Sequence, residues 1–498
     1  MNILFVVREL KHHSPIGIMQ LSALARKRGH QTSLGVLARG DVVARMEETS
    51  PKVIAYTGCT GEHKYFADVN ATIKRAHPEV VTIMGGPHAT FFPEQTLQAL
   101  WLDAICIGEG DLAFEDFLAH VEEGASLAGL RNILTPEMAA RAEHPRLHPL
   151  VPDLDGLPHP DRELFFRETE NGQMPIKNFM VSRGCPYECA YCFNKAFSEK
   201  YPGQRYVRRH SVDYVIAEIL AVKTAYPLEY VKFYDDVFCY RVDDWLEDFA
   251  KRYRSEVNLP FYCLTRADLL TEDMAKLLKE AGCQTIQMAV ESVNEKIRNG
   301  LLRRNMTTEQ LTAAFTLCRE LGLTVVTNYI LGLPTSTIQD DIDAVHFNIE
   351  AQVPVPEFPI FQPYPETELG RLCMRNGWFD GNCDSIHMSY NHRSLLSCFT
   401  ESEKDTQRNI AYLGQLANTC AETHPAVTDF VMRQLIHQPT HPLFADIYAR
   451  HKWRLYNSLV YPLQHPRDTE AYLRDKSLRL GVSERIDEQG NFHAQNLL

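Results

Sequence analysis

Short apolar runs with the length of β-strands alternate with helical segments from the N-terminus to about residue 375. In the first 125 residues the strand-like runs are 3–7, 53–58, 80–86 and 104–108, and helices are predicted near 16–28, 63–76, 93–100 and 111–122. Continuous apolar strands joined by helices are typical of a parallel sheet with helices on both faces. The pattern therefore predicts an α/β fold that begins with a doubly wound, Rossmann-like domain over residues 1–125. A ligand would lie beyond its C-terminal strand ends.

A second series of strands and helices fills residues 176–375. Its strand-like runs are 179–184, 230–236, 260–267, 285–292, 324–332 and 356–364. Six βα units predict a partial (β/α)6 barrel with its site at the C-terminal strand ends. Prolines recur through residues 126–175, which indicates a linker between the two domains. Residues 376–498 show amphipathic helices without strands, and we expect them to cap the barrel and shape a substrate pocket.

Charge and composition restrict the partners of the chain. The formal net charge of −13 argues against a nucleic-acid groove, which needs clustered cations, and favours a small-molecule, lipid or peptide substrate. No stretch reaches the roughly 18 apolar residues that a membrane span requires. The start MNILFVVREL lacks the features of an export signal, so a cytoplasmic location is expected.

Three cysteines stand close together in the segment SRGCPYECAYCFNKAF, which follows the first predicted strand of the barrel. Cys185, Cys189 and Cys192 would lie on one loop, where thiolates can ligate an iron–sulfur cluster and leave one iron open to another molecule. A structural zinc site and a group of packing cysteines are the alternatives. The chain contains no second CxxC pair of the kind that usually completes a zinc site.

The CxxxCxxC spacing, with the aromatic Tyr191 before its last cysteine, resembles the signature of the radical S-adenosylmethionine (SAM) superfamily. The resemblance implies a [4Fe–4S] cluster whose open iron binds SAM. An external one-electron reductant of the flavodoxin or ferredoxin type would reduce the cluster, and SAM would be cleaved to methionine and a 5′-deoxyadenosyl radical.

Further segments resemble the SAM contacts of this superfamily in their usual order. Asp235 and Asp236 of FYDDVF resemble the carboxylates that hold the SAM ammonium group, for which a carboxylate is the natural acceptor. The expected ribose contacts are Glu291 and Ser292, and the expected adenine contacts are Ile330, Gly332 and Leu333. Arg266 in LTRAD would either face the site or form a surface ion pair.

The N-terminal domain lacks a GxGxxG dinucleotide motif after its first strand. Its segments GGPHATFFPE and GEGDLAFEDFL resemble the cobalamin-binding domain that precedes the barrel in one radical SAM subclass. The resemblance implies cobalamin contacts at the strand ends, at Thr57, Gly58, Gly85, Gly86, His88, Gly108, Glu109 and Gly110. A DxHxxG motif is absent, so we expect cobalamin without a histidine ligand and take His12, His13 and His88 for loop residues.

This subclass implies an enzyme that abstracts hydrogen from an unactivated carbon and then transfers a methyl group from methylcobalamin to it. A radical cyclisation or oxidative rearrangement that uses cobalamin as a redox partner is the alternative within the subclass. A non-catalytic cobalamin or redox sensor is the alternative outside it, although a sensor would not need the SAM contacts.

Overall fold

The computed structural model describes residues 1–10, 15–167 and 169–463. The N-terminal sheet has the order β2-β1-β3-β4-β5-β6, in which β1 to β5 are parallel and β6 is antiparallel to β5. Its strands are β1 Asn2–Val7, β2 Gln31–Val36, β3 Val53–Thr57, β4 Val81–Gly85, β5 Ala104–Cys106 and β6 Ile133–Leu134. The helices around it are α1 Ile16–Lys27, α2 Val42–Thr49, α3 Ala67–Ala76, α4 Pro87–Phe91, α5 Pro93–Leu100, α6 Asp111–Glu123, α7 Pro136–Ala140 and α8 Glu163–Phe166. The strand order reverses between β1 and β3, which confirms the doubly wound prediction and places a ligand crevice at this edge.

Two strands of this sheet were missed by the sequence reasoning. The edge strand β2 has the sequence QTSLGV and buries only its last three residues, so it lacks a continuous apolar run. The two-residue strand β6 lies in the segment predicted as a linker, where Ile133 and Leu134 pair with Cys106 and Ile105. Both strands are added to the sheet by tertiary contacts and not by a local apolar pattern.

The second sheet confirms the six-stranded prediction. Its order is β14-β13-β12-β11-β10-β7, and every neighbouring pair is parallel. The strands are β7 Ile176–Phe179, β10 Tyr230–Phe233, β11 Phe261–Leu264, β12 Cys283–Glu291, β13 Thr324–Tyr329 and β14 Val355–Glu357, and the short pair β8 Ser182–Arg183 and β9 Arg208–Arg209 lies beside them. The helices of this part are α9 Phe193–Ser198, α10 Val212–Ala225, α11 Asp244–Arg252, α12 Glu272–Ala281, α13 Thr308–Glu320, α14 Ile338–Glu350 and α15 Glu368–Arg375. Successive strands in chain order are neighbours in space, as expected for a partial (β/α)6 barrel.

The C-terminal region begins with a largely irregular segment over 376–400 and is mainly helical from Glu401 to the end of the described residues at 463. These helices are α16 Glu401–Cys420, α17 Pro425–Arg433 and α18 Pro442–Leu455. After α18 the chain enters the inner face of the barrel sheet, where the ring of Tyr461 packs on Tyr230 at 5.3 Å and on Tyr262 at 5.9 Å. Both of those tyrosines belong to the N-terminal halves of their strands. The C-terminal chain therefore fills the barrel on the side opposite to the cysteine loop.

The two domains share a continuous hydrophobic core. Buried residues of the first sheet such as Phe5 join those of the barrel such as Phe233 through Phe165 and Phe179. Arg162, beside this junction, donates from Nη2 to Glu218 at 2.6 Å and lies over the Phe179 ring at 4.8 Å. No helix in residues 1–10, 15–167 and 169–463 is long and apolar enough to cross a membrane.

Candidate active site

The cysteine loop begins where the first barrel strand ends, and Asp235 fixes its start. The buried carboxylate of Asp235 accepts hydrogen bonds from the Val181 and Ser182 backbone N–H groups at 3.0 and 2.7 Å, and from Ser182 Oγ at 2.6 Å. Gly184 then adopts a φ of +87°, and a Cβ there would lie 2.6 Å from the backbone oxygen of Tyr206. Glycine is therefore required for the sharp turn into the cysteines.

The three cysteines lie in surroundings that favour a bound cation. Burial raises the pKa of the Cys185 thiol to about 11 and that of the Cys192 thiol to about 12, and the nearby charge of Asp236 adds to both shifts. Thiolates would be rare in such a place at neutral pH unless a metal centre bound them, because a coordinated thiol loses its proton. The donor set therefore fits an iron–sulfur cluster.

A single metal ion fits these residues less well. In the described part of the chain, no three histidine, cysteine, aspartate or glutamate side chains converge closely enough to hold one ion. The thiolates of a cubane cluster each bind a different iron, so they need not meet at one point. The geometry gives no support to the zinc alternative.

The two neighbouring carboxylates predicted to bind SAM, Asp235 and Asp236, have different surroundings. Asp235 is fully buried under its backbone donors, and burial raises its pKa to about 7. Asp236 is solvent-accessible and lies near Cys185 and Cys192. Asp235 therefore positions the loop, whereas Asp236 faces the space beside the cysteines.

The predicted ribose contact Glu291 is held by two partners. Tyr191 Oη donates to Glu291 Oε1 at 2.6 Å, and the guanidinium of Arg304 lies beside both side chains while its Nη2 donates to the Ala289 carbonyl at 2.6 Å. Glu291 has a φ of +65°, at a register shift between β12 and β13. A left-handed glutamate is uncommon and marks a place where the surrounding contacts impose the backbone. Ser292 is buried next to it.

The predicted adenine segment lies against the cysteine loop. Leu333 and Ile330 belong to the apolar cluster that contains Ala190 and Tyr191. Gly332 has a φ of +63°, and its N–H donates to the Asp341 carboxylate at 3.1 Å. A Cβ at this glycine would come within 2.9 Å of Gln407 Oε1 on α16.

Arg266 forms an ion pair, but a buried one. Its Nε and Nη2 donate to the Asp268 carboxylate at 2.9 and 3.0 Å, and its guanidinium lies 3.7 Å from the centre of the Tyr187 ring, inside the cysteine loop. Its Nη1 is buried without a hydrogen-bond partner in the described structure. Arg266 therefore supports the loop from behind.

The loops after β3 and β4 lie against each other at the ligand edge of the N-terminal sheet. The φ of Gly86 is +94°, and a Cβ there would lie 2.8 Å from Thr57 Oγ1, so the two loops approach closely only because Gly86 has no side chain. The Gly58 carbonyl accepts a hydrogen bond from the His88 N–H at 3.2 Å. Gly85 ends β4. These two loops, named the cradle, thus pack against each other at the edge where the strand order reverses.

His88 lies behind this cradle in helix α4 and is fully buried, so the prediction of a loop residue was wrong at this position. Its Nδ1 is 3.1 Å from Thr60 Oγ1, its ring stacks on that of His63 at 3.5 Å, and its Nε2 has no partner among the described residues. His63 Nε2 in turn lies 2.9 Å from Asp384 Oδ1, which belongs to the C-terminal region. His12 and His13 lie outside the described residues.

The loop after β5 contacts the other domain. The Glu109 carboxylate accepts from Arg183 Nη1 at 2.8 Å and from Arg208 Nη1 and Nη2 at 2.9 and 3.0 Å. The Glu109 N–H and Gly108 lie against Tyr201, whose Oη accepts the N–H at 2.8 Å. Glu109 was predicted to contact cobalamin, but its carboxylate is paired with arginines of the barrel domain. Gly110, another predicted contact, directly precedes α6.

Sequence reasoning missed Arg183, Arg208 and Tyr201. The available signal was their position, since Arg183 stands two residues before Cys185 and Arg208 follows the loop by a short distance. Together with Glu109 they form the clamp between the domains.

Residues from the strand ends of both domains come together around Tyr390. Tyr390 lies close to Cys59, Tyr234 and Tyr364, which come from the loop after β3 and from two strand ends of the barrel. Tyr390 is 58 % exposed. The loop after β3 and the strand ends of the barrel thus meet beside it.

Comparison with known proteins agrees with this architecture. The B12 binding domain model matches residues 1–118, and the radical SAM superfamily model matches residues 179–347. The chain is 27% identical over 371 residues to the uncharacterized methyltransferase PH0819 of Pyrococcus horikoshii, covering 73% of this chain and 79% of that protein. It is 26% identical over 440 residues to the cytidylyl-2-hydroxyethylphosphonate methyltransferase of Streptomyces wedmorensis, covering 76% and 80%.

One solved structure shows the same fold along nearly the whole chain. The radical SAM methyltransferase TsrM of Kitasatospora setae, solved with tryptophan and a SAM analog, superposes with a TM-score of 0.64 at 15% identity, covering 96% of this chain and 99% of that one. The two family matches lead to one assignment. The chain belongs to the radical SAM enzymes that carry an N-terminal B12-binding domain, and its cofactors are a [4Fe–4S] cluster, SAM and cobalamin.

Proposed function

We propose that the protein is a cobalamin-dependent radical SAM methyltransferase that methylates an unactivated carbon of a small-molecule, lipid or peptide substrate. The observation that carries the proposal is the meeting of the loop after β3 with the strand ends of the barrel around Tyr390. We infer a shared chamber at this place, since methyl transfer requires the corrin, the cluster and the substrate to meet in one enclosed space. When bound, these cofactors supply the electron transfer, the 5′-deoxyadenosyl radical and the methyl group.

In this proposal the barrel residues hold the cluster and SAM. Cys185, Cys189 and Cys192 ligate three irons. Asp236 accepts the SAM ammonium group through a charge-assisted hydrogen bond. Glu291, held by Tyr191 and Arg304, accepts a ribose hydroxyl, and the segment from Ile330 to Leu333 packs on the adenine.

The cradle residues Thr57, Gly58, Gly85 and Gly86 hold the corrin by backbone contacts, and His88 lies behind them. Support comes from Gly86, whose lack of a side chain is what allows the two loops to meet. The segment that contains Asp384 and Tyr390 closes the chamber from the C-terminal region. The tyrosines around this chamber, Tyr234, Tyr364 and Tyr390, favour an apolar or aromatic group at the reacting end of the substrate, because aromatic walls pack on such groups.

The cofactor assignment is tested by anaerobic reconstitution with iron, sulfide and hydroxocobalamin. We expect about four irons and one corrin per chain, and 5′-deoxyadenosine after addition of SAM and a strong reductant. The triple variant Cys185→Ala, Cys189→Ala, Cys192→Ala should lose iron and nucleoside formation. Cys420→Ala, a half-buried cysteine on α16, is the matched control and should keep both. Bound zinc, or nucleoside formation by the triple variant, would contradict the assignment.

The methyl-transfer step is tested with CD₃-labelled SAM. Label should appear in the bound corrin during turnover. A corrin that stays unlabelled while 5′-deoxyadenosine accumulates would favour a cyclase or rearrangement reaction, and absence of both products would favour a sensor.

A further inference from the structure

A cavity opens to the outside of the barrel directly behind the cysteine loop. It has a volume of about 110 Å³ and is lined by Ala190, Gly300, Leu301, Arg303, Glu368, Leu369, Leu372 and Arg375. Ala190 stands between Cys189 and Cys192, and its backbone N–H and carbonyl bond Leu302 O at 3.2 Å and Leu369 N at 2.9 Å. One residue of the cysteine loop, Ala190, thus lines this cavity, which brings the protein surface close to Cys189 and Cys192.

Two neighbouring arginines connect the cavity with the cluster. Arg304 is buried beside Cys189 and Tyr191, whereas Arg303 lines the cavity with 46 % of its side chain exposed. Arg303 has a φ of +57°, and Asn305 one of +52°. Left-handed backbone at residues with side chains persists only where the surroundings impose it. In this loop the left-handed backbone turns the side chains of Arg303 and Arg304 to opposite sides.

The rim of the cavity is cationic in a chain whose net charge is −13. Arg303 and Lys195 both pair with Glu368, so one carboxylate serves two cations. Arg371 and Arg375 add two more cations one helical turn apart on α15, and the carboxylate near Arg371, that of Glu366, lies 4.0 Å away. An acidic protein would be repelled by most of this molecule and attracted at this rim.

We propose that this cavity is the docking surface for an acidic electron-transfer protein that carries a flavin or an iron–sulfur centre. The donor loses one electron, the cluster gains it and passes from the 2+ to the 1+ state, and no atom or proton is exchanged. The electron enters from this side because the opposite side of the cysteine loop faces the chamber. The inference rests on the proposed cluster at Cys185, Cys189 and Cys192.

The test compares two electron donors on the reconstituted holoenzyme. Arg375→Glu and the double variant Arg303→Gln, Arg375→Glu are reduced either by reduced flavodoxin or by dithionite, and cluster bleaching is followed by stopped flow. With flavodoxin we expect the double variant to react about tenfold or more slowly than wild type, because loss of steering lowers the association rate. The wild-type rate should also fall with added salt, and the variant's rate should be nearly independent of salt.

Dithionite is a small molecule that needs no docking surface. With dithionite, the rates of cluster reduction in wild type and in all variants should agree within about twofold. Arg433→Glu on α17, where 79 % of the arginine side chain is exposed, is the matched charge reversal and should leave both rates unchanged. Arg375→Glu alone keeps the left-handed loop intact, so its result does not depend on folding around Arg303.

An unchanged flavodoxin rate in the double variant would overturn the inference. Equal slowing with both donors would overturn it too, since that result indicates damage to the cluster. If neither donor reduces the wild-type cluster, the proposed function itself fails. If dithionite reduces the wild-type cluster and flavodoxin does not, only the docking inference fails.

Discussion

Arg208 and Glu109 join the two domains through paired hydrogen bonds of 2.9 and 3.0 Å between guanidinium and carboxylate. Arg208 Nη1 also donates to the Val151 carbonyl at 2.8 Å, and the Val151 N–H donates to Glu109 at 2.9 Å. Burial alone would raise the pKa of Glu109, but Arg208 and Arg183 outweigh that effect and hold it below its usual value. This clamp sets how the cradle of one domain faces the cysteines of the other.

Removing the charge of Glu109 should loosen the domains. Glu109→Gln leaves Arg208, with 4 % of its side chain exposed, without its countercharge, so we expect a loss of about 3 kcal/mol in the free energy of unfolding. Urea denaturation measures it. Glu122→Gln, at a side chain on α6 that is 46 % exposed, should change stability by less than about 0.5 kcal/mol. Equal effects of the two substitutions would contradict the importance of the clamp.

The same clamp has a pH dependence with a definite sign. Because the pKa of Glu109 is lower in the folded state, its contribution to stability is complete above the unfolded value near 4.5 and is lost as the pH falls through the folded value. In urea titrations between pH 6 and 3, Glu109→Gln should therefore lose less stability than wild type. Parallel pH curves for the two proteins would rule this out.

Gly108→Ala should disrupt the contact with Tyr201. The φ of Gly108 is +81°, and a Cβ would lie 2.1 Å from Tyr201 Oη, so we expect a cost well above the roughly 1 kcal/mol of a left-handed alanine. Gly124→Ala is the matched control, since Gly124 has a φ of +66° and open space around its Cβ position. In a Tyr201→Ala background the cost of Gly108→Ala should fall towards that of the control, which a double-mutant cycle measures.

Asp235→Ala and Asp236→Asn should differ in kind. Alanine at 235 would leave the buried N–H groups of Val181 and Ser182 without their acceptor, so we expect a loss of about 3 kcal/mol in the free energy of unfolding and a lower iron content. Asp236→Asn should keep both stability and iron while weakening SAM binding about tenfold, as loss of one charge-assisted hydrogen bond predicts. Iron analysis and SAM titration of the holoenzyme separate the two outcomes.

His88 should make the apoprotein sensitive to acid. Burial lowers its pKa to about 3, with a further contribution from His63, so the unfolded chain takes up a proton below about pH 6.5 that the folded protein does not. Folding should thus lose about 2 kcal/mol between pH 7 and pH 5 through this one group. Because burial also lowers the pKa of His387 and that of His392, the total loss should be about 2 kcal/mol smaller in His88→Gln than in wild type, as measured by urea titration at both pH values. The same loss in the variant would assign the acid sensitivity to other groups.

The sequence predicts strands well where burial is continuous and fails where strands are polar or short. The run ILFVV becomes β1, buried on both faces, while QTSLGV of β2 forms an edge strand with an exposed start. The alternation of strands and helices also predicts that all ligand loops lie at one edge of each sheet, because parallel strands end on the same side.

The sequence motifs could be recognised, but it was harder to predict which residue of a motif contacts a cofactor and which one supports the fold. Asp235 and Asp236 are neighbours, but successive residues at a strand end point in opposite directions, so only one of them faces the chamber. Glu109 stands in a glycine-rich loop that suggests a cofactor contact, yet its partners Arg183 and Arg208 are 74 and 99 residues away in the chain. Pairs at such a distance leave no local pattern in a single sequence.

Strand β14 depends on the last described helix. Glu357 accepts hydrogen bonds from Tyr448 at 2.9 Å, Lys452 at 2.7 Å and Tyr456 at 2.7 Å, and Lys452 is 95 residues further along the chain. During synthesis this carboxylate therefore has to wait for its partners, and a nascent barrel that packs too early would bury an unpaired charge. The order of translation thus delays completion of the barrel until α18 has left the ribosome, and chains that end before α18 should be degraded or aggregate.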